Sequence, residues 1–112
     1  MPLFFSDFDS EKMAFVEPGD TVRRQVGFPA VAVSTFSGDI VEDYVRACHP
    51  PEIARLYTAN GSLPVYRAEY KGRKIALFVS RVGAPACVAG LEEIIAMGAR
   101  KIVLFGCCGV LN

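Results

Sequence analysis

The stretch Tyr70–Asn112, YKGRKIALFVSRVGAPACVAGLEEIIAMGARKIVLFGCCGVLN, alternates apolar runs with glycine turns, and its reading decides the fold. Ile75, Ala76, Leu77, Phe78 and Val79 form an unbroken apolar run, the mark of a strand covered on both faces. Ser80-Arg81-Val82-Gly83-Ala84-Pro85 interrupts it, and Pro85 suits the first turn of a helix, where a missing N–H costs nothing. Ala86–Met97 favours helix, with Val88, Leu91, Ile94 and Ile95 spaced as one apolar stripe and Glu92 and Glu93 turned outward. Gly98 closes that helix where a left-handed residue is wanted. Ile102–Phe105 reads as a second buried strand, and Gly106-Cys107-Cys108-Gly109 as a second turn, tight and buried. Two buried strands joined by a helix are expected to run parallel through a right-handed crossover. Both glycine turns then fall at strand carboxyl ends, on the rim where open α/β sheets bind ligands.

Outward from this stretch, Pro64–Tyr70 alternates Val65, Arg67 and Glu69 against Tyr66, Ala68 and Tyr70, a strand with two unlike faces. Lys71-Gly72 turns it back into Lys74–Ser80 as a hairpin. Asn60-Gly61-Ser62 reads as a loop. Pro51 can open a short helix over Glu52–Tyr57, while His49-Pro50-Pro51 ends the helix before it, because two prolines cannot continue one. That earlier helix covers Ile40–Cys48, with Asp39 as its N-cap and Ile40, Val41, Tyr44 and Val45 clustered on one side. Ala30–Thr35 is a small β-branched strand, followed by a turn at Phe36–Asp39. Residues 1–28 read as an irregular arm with a turn at Glu17–Asp20. The predicted order is β-α-(α)-β-β-α-β, without internal repeats or low-complexity segments.

At 112 residues the chain is at most one domain. An apolar fraction of 52% against 21% charged residues excludes a disordered chain. Twelve basic residues balance twelve acidic ones with no basic block, so nucleic acid and anionic membranes are not expected partners. No apolar run approaches a membrane span, and the N-terminus lacks the layout of a signal peptide, which predicts a soluble cytoplasmic protein. Cys48, Cys87, Cys107 and Cys108 show no Cys-x-x-Cys spacing beside the single histidine, so reduced thiols and no metal site are expected.

Chemistry can gather at three turns: Phe36–Asp39, Ser80–Pro85 and Gly106–Gly109. Glycine lets a backbone approach a ligand closely, and amides at a helix start favour an anion. The Ser80 hydroxyl and the Ser80–Ala84 amides suit phosphate or a sugar hydroxyl, the plain alternative being a tight turn made for packing. Three-glycine dinucleotide spacing and a Gly-Lys-Ser/Thr phosphate loop are both absent. Arg81 can clamp an anion if it points inward, and is otherwise a solvated surface residue. His49 reads as a helix-end residue rather than a general base. Cys107 reads as a small buried residue or a weak donor. No nucleophile–base pair can be assembled from these residues.

With these residues in view, Tyr66–Asn112 resembles the uridine phosphorylase and purine nucleoside phosphorylase family. In that family a strand ends in a Ser-Thr-Gly-x-Gly-type turn, and a small-residue helix carrying Glu-Glu-Leu/Ile ends in glycine. A second strand then ends in Gly-Ser/Thr-x-Gly. The counterparts are Ser80–Pro85, Leu91-Glu92-Glu93-Ile94-Ile95-Ala96-Met97-Gly98 and Gly106-Cys107-Cys108-Gly109-Val110-Leu111. Val31–Arg46 is placed like the family's first strand, loop and helix. The resemblance implies a three-layer α/β/α sandwich with a mixed, mostly parallel sheet, present here as a truncated N-terminal half, residues 1–112 forming part of a single domain.

It further implies a pentosyltransferase, uridine phosphorylase-like more than purine-specific. Such an enzyme cleaves a nucleoside's N-glycosidic bond with phosphate as co-substrate and no other cofactor, releasing ribose 1-phosphate and free base. Ser80, Arg81, Gly83, Gly106, Cys107 and Gly38 are then the expected phosphate- and ribose-binding residues. The base-recognition segment and the catalytic acidic residue belong to the part beyond this chain, so the chain is expected to be inactive alone, and a homo-oligomer is expected. The family's first loop reads Gly-Asp-Pro-x-Arg, whereas this chain keeps Gly38-Asp39 without the proline and arginine. Leu104 stands where a phosphorylase carries a second arginine, and Cys107 replaces a Ser/Thr, leaving Arg81 as the nearest substitute. The related nucleosidases use water and lack that second arginine, so hydrolysis is the alternative reaction. A non-catalytic remnant or oligomerising half-domain is the alternative of a different kind.

Overall fold

Small β-branched residues make a strand that neighbours can approach from both sides, and Val31–Thr35 (β1) occupies that position. The computed structural model describes residues 22–111. β1 lies between Arg73–Val79 (β4) and Lys101–Phe105 (β5), parallel to both, with Val33 opposite Leu77 on one side and Val103 on the other. Glu52–Thr58 (β2) and Gly61–Tyr70 (β3) extend the sheet antiparallel beyond β4, giving the order β2-β3-β4-β1-β5. The sheet is mixed, its parallel part being β4-β1-β5.

Helix α1 (Gly38–Cys48) follows β1, and α2 (Ala84–Met97) follows β4. The connection through α1 leads towards β2, and the one through α2 leads the other way, past β1 to β5. Right-handed crossovers in opposite directions must put their helices on opposite faces of a sheet. The packing agrees. Ala32, Leu56, Val65, Ala76 and Phe78 meet Ile94 and Met97 of α2, while Val33, Ala68 and Leu77 meet Val41 of α1. The three-layer α/β/α arrangement follows from these two clusters. No helix among the described residues is long and apolar enough to cross a membrane.

Several local expectations are corrected. The helix expected at Glu52–Tyr57 is strand β2. The Pro51 carbonyl accepts the Arg67 N–H at 2.9 Å, which starts this segment alongside β3. Arg55 then bridges Glu52 (2.6 Å) and, across the hairpin, Ser62 (2.8 Å). Six residues cannot hold a helix against a ready row of sheet hydrogen bonds. The loop expected at Asn60-Gly61-Ser62 shrinks to Ala59-Asn60, and β3 begins at Gly61, before Pro64. The Lys71-Gly72 hairpin turn is present, both residues having positive φ (50° and 75°), as a two-residue turn matched to strand twist requires.

The N-cap of α1 is Ser37 rather than Asp39, which sits in the first turn. Of the expected α1 stripe, Val41 is buried and Tyr44 and Val45 partly so, but Ile40 is exposed. The buried seam of α2 is Gly90, Ile94 and Met97, with Leu91 partly covered, while Val88 and Ile95 are exposed. That helix is apolar on most sides, so spacing alone does not choose the seam. β5 is not buried: Val103, Leu104 and Phe105 are 53%, 40% and 43% exposed, because β5 is an edge strand with a partner only in β1. Cys107 and Cys108, expected in a buried turn, are exposed for the same reason. The N-terminal arm up to residue 21, with its turn at Glu17–Asp20, lies outside the described residues.

Phe78 and Ile94 are at most 1% exposed and face each other across the sheet–α2 layer. Phe78→Ala is expected to cost about 3–5 kcal/mol, and Ile94→Ala about 2–5, by lost burial plus a residual cavity. Urea denaturation monitored by circular dichroism checks both; a loss under about 1 kcal/mol at either site would contradict this core.

Candidate functional site

Three parallel strands end together, and each end carries a turn. Phe36-Ser37 follows β1, Ser80–Gly83 follows β4, and Gly106–Gly109 follows β5. β1 sends its chain to one face and β4 to the other, so their carboxyl ends form a switch point, the place at which such sheets take ligands.

At that point the ends are tied by hydroxyls. The Ser80 N–H donates to the Thr35 carbonyl at 2.8 Å, extending the β1–β4 ladder one residue past the strands. The Ser34 hydroxyl donates to the Phe78 carbonyl (3.0 Å) and lies 2.5 Å from the Ser80 hydroxyl. Ser34 has one proton, committed to Phe78, so Ser80 is the donor within the pair. Ser80 is 5% exposed and Ser34 fully buried. Burying two hydroxyls is tolerable because each is paired.

On the α1 side of the sheet, Thr35, Phe36, Ser37, Ile40, Phe105, Gly106 and Cys107 line a cavity of about 240 Å³. Thr35 is fully buried, and its hydroxyl oxygen accepts the Ser37 N–H at 3.2 Å. No acceptor for its own proton is found among the described residues. Gly106 is held against the Phe36 ring: a Cβ there would stand 3.1 Å from Cδ2. A larger depression of about 710 Å³ adjoins it at Ile40 and Phe105, over the sheet face lined by Val31, Val33, Ile75 and Leu77. It is uncovered apolar surface, without convergent polar groups at its floor, and the smaller rim cavity is the better place for chemistry.

The six residues expected from the sequence share one rim but not one cavity. Gly106 and Cys107 line the 240 Å³ space. Gly38 opens α1 and borders a separate depression of about 430 Å³ with Val41, Glu42 and Pro64. Ser80 is buried at the switch point. Gly83 is the N-cap of α2 at φ 97°. Arg81, read as an anion clamp or a solvated residue, has a partly buried guanidinium, one Nη of which donates to the Leu56 carbonyl at 3.2 Å. His49 caps the end of α1, its N–H bonded to the Val45 carbonyl. Ser34 and Thr35, which precede the expected Phe36–Asp39 turn, are rim residues that the sequence did not single out. Two hydroxyl side chains closing an apolar strand just before a glycine turn were the available signal. Among the described residues no group of three or more His, Cys, Asp or Glu side chains is placed to hold a metal ion.

Comparison with known proteins gives a consistent set of likenesses. The sequence model of the family described as "Phosphorylase superfamily" matches residues 30–112. The chain is 29% identical over 96 residues to "Purine nucleoside phosphorylase DeoD-type 1" of Aliivibrio fischeri (strain ATCC 700601 / ES114), covering 85% of this chain and 32% of that protein. It is 30% identical, with the same coverage, to the protein of that name from Vibrio parahaemolyticus serotype O3:K6 (strain RIMD 2210633). The chain thus spans about a third of the length of these relatives. A crystal structure of uridine phosphorylase from Vibrio fischeri ES114, complexed with 6-hydroxy-1-naphthoic acid, superposes with a TM-score of 0.54. Its sequence identity is 20%, over 75% of this chain and 36% of that one, a likeness of fold.

Two glycines of the rim are constrained differently, and substitution separates the causes. Gly83→Ala meets no neighbour but forces alanine to positive φ, for an expected loss of about 1–3 kcal/mol. Gly106→Ala only displaces the half-exposed Phe36 ring, so its expected loss is below about 1 kcal/mol. Chemical denaturation of the two variants should rank them in that order.

Proposed function

Because the chain belongs to the phosphorylase superfamily, we propose that it forms the sugar- and acceptor-facing part of an enzyme that breaks the N-glycosidic bond of a nucleoside. The observation that carries the reading is that the turns after β1 and β5 meet, on the rim they share with the β4 turn, at a small cavity lined by a buried threonine, a thiol and two aromatic rings. Such a wall suits a pentose: Thr35, Ser37 and Cys107 face its hydroxyls, and Phe36 and Phe105 face its apolar side. Pentosyl transfer of this kind passes through an oxocarbenium-like sugar and depends mainly on positioning and electrostatics. The glycosidic bond breaks with its electron pair going to the base, and an acceptor oxygen bonds to the anomeric carbon.

Phosphate is the acceptor that the family resemblance implies, with pentose 1-phosphate as product and no further cofactor. Ser80, Arg81, Gly83, Gly106, Cys107 and Gly38 are the residues proposed to face phosphate or ribose. A second reading, hydrolysis, is favoured by one observation: among the described residues no Lys or Arg lines the 240 Å³ cavity. Since the chain spans about a third of its relatives, the activity is proposed for an assembly or longer polypeptide that contains it, with self-association of the exposed β5 edge as the proposed oligomer contact.

Release of base from uridine and inosine, followed with and without phosphate, tests this. The 112-residue chain alone is expected to show no turnover, and the longer polypeptide or assembly to cleave at least one nucleoside. Pentose 1-phosphate as product identifies phosphorolysis, and free pentose identifies hydrolysis. Absence of cleavage in every condition would leave the non-catalytic remnant as the better account.

A further inference from the structure

The topology gathers charge that the sequence scatters. At the amino ends of the parallel strands, opposite the candidate site, Arg73 and Lys74 open β4 and Arg100 and Lys101 lead into β5. Lys71 sits in the hairpin turn just before β4. The Arg100 and Lys101 N–H groups both donate to the Ala30 carbonyl, at 2.7 and 3.0 Å, which holds them beside the start of β1. Arg23 and Arg24 join this end, because the next residue, Gln25, donates its N–H to the Met97 carbonyl at the close of α2 (2.9 Å). All seven residues are exposed. The ion pairs among the described residues involve Arg46 and Arg55 instead, and Glu69, level with Lys74 across the hairpin, is the carboxylate set among the seven.

These cations border apolar surface. By the two-residue period of a strand, Arg73 shares the face of Ile75 and Leu77, and Lys101 is level with Val31 and Ile75. This is the uncovered sheet face with its depression of about 710 Å³, which Arg73 and Lys74 border at the lower end. Val103 and Phe105 extend it along β5, 53% and 43% exposed. A segment that fits here needs apolar side chains followed closely by carboxylates.

The arm before Val22 has that chemistry. Residues 1–21 carry Asp7, Asp9, Glu11, Glu17 and Asp20 against Lys12. Twelve acidic and twelve basic residues in the whole chain therefore leave seven acidic and eleven basic in residues 22–112, so the two parts carry opposite net charge. A segment made to stay in water has few aromatic residues, yet this one holds Phe4, Phe5, Phe8 and Phe15, four of the chain's eight phenylalanines. Reach permits the contact. Val22 precedes Ala30, which lines the depression, by eight residues, so at most about 29 Å separates them. The chain from Phe8 to Val22 spans up to about 46 Å.

We propose that residues 1–21 fold back as an intramolecular cover, with Phe4, Phe5 and Phe8 on this sheet face and Asp7, Asp9 and Glu11 against the cations at its lower end. Apolar burial holds the arm down, and the charges fix where it lies. Since the depression meets the rim cavity at Ile40 and Phe105, the arm borders the candidate site as well. The proposal stands apart from the choice of reaction. The competing occupants are the arm of a second copy, a separate acidic partner and further polypeptide.

Carbodiimide cross-linking of the 112-residue chain joins a carboxylate to a lysine amine in contact with it. It is expected to link Asp7, Asp9 or Glu11 to Lys71, Lys74 or Lys101, and a mixture of heavy-isotope-labelled and unlabelled chains should show the link within one molecule. The chain has no tryptophan, so Phe5→Trp supplies a single reporter. Its acrylamide quenching is expected to be at least about threefold weaker than in the same chain carrying Arg73→Glu and Lys101→Glu. Both of those positions are exposed, and circular dichroism verifies that the fold is kept. At about 1 M salt, where screening acts within about 3 Å, quenching should rise towards that of the charge-reversed chain. Links between differently labelled chains would give the face to a second copy's arm and overturn the intramolecular cover. A reporter quenched equally with and without charge reversal, and no link to the three lysines, would overturn it in favour of a separate partner or further polypeptide.

Discussion

The hydrogen bonding of β1 on both edges is the constraint from which the rest follows. A strand paired in parallel with β4 and with β5 brings three carboxyl ends to one level, and only then can three separate turns share one rim. The ladder is continued past the strands by Ser80 N–H to the Thr35 carbonyl, and is then locked by the Ser34–Ser80 hydroxyl pair. That pair joins residues 46 apart in sequence, at a point where the two chains leave for opposite faces. Buried hydroxyls are an expensive way to hold two strands, since losing either partner strands the other in an apolar setting. Their presence at the switch point, rather than in the middle of the core, sets the rim apart from the ordinary packing beneath it.

The layers divide the work. The α2 side holds the larger core, with Phe78, Leu56, Val65 and Ile94 fully enclosed. The α1 side is thinner: Val41, Ala68 and Leu77 are buried, but much of the sheet beside them is uncovered. The rim cavity opens on this thinner side, between the start of α1 and the end of β5. An apolar edge strand beside a partly covered sheet face is a surface that proteins ordinarily cover. The relatives, of which this chain spans about a third, have further chain with which to do so.

Much of this was legible because it is periodic or local. The run Ile75–Val79 could only be a buried strand, Lys71-Gly72 could hardly be anything but a hairpin turn, and Pro85 and Gly98 marked the two ends of α2. The errors share a cause. Glu52–Tyr57 has no period of its own strong enough to choose, and the neighbouring β3 chose for it through Pro51 and Ser62. Val88 and Ile95 were assigned to the seam of α2 because an apolar helix offers several seams, and contact with Ala32, Ala76 and Phe78 selects one. β5 looked buried because its residues are apolar, but burial depends on what lies beyond an edge. At the rim, glycine turns were visible as turns, while the destination of Arg81 was not, because a carbonyl 25 residues away in sequence receives it.

The amino-acid sequence by itself determined which segments could be strand or helix for most of the chain, that the crossover through α2 should be right-handed, and that flexible turns would lie at strand carboxyl ends. Those are consequences of side-chain shape, backbone chirality and glycine's freedom, all of which act over a few residues. Only the tertiary structure decided that β1 lies between β4 and β5, that Ser34 meets Ser80, and that Arg81 turns from the cavity while Thr35 faces it. Each of these depends on which distant backbone and hydroxyl groups come within hydrogen-bonding reach, and that is settled when the sheet assembles.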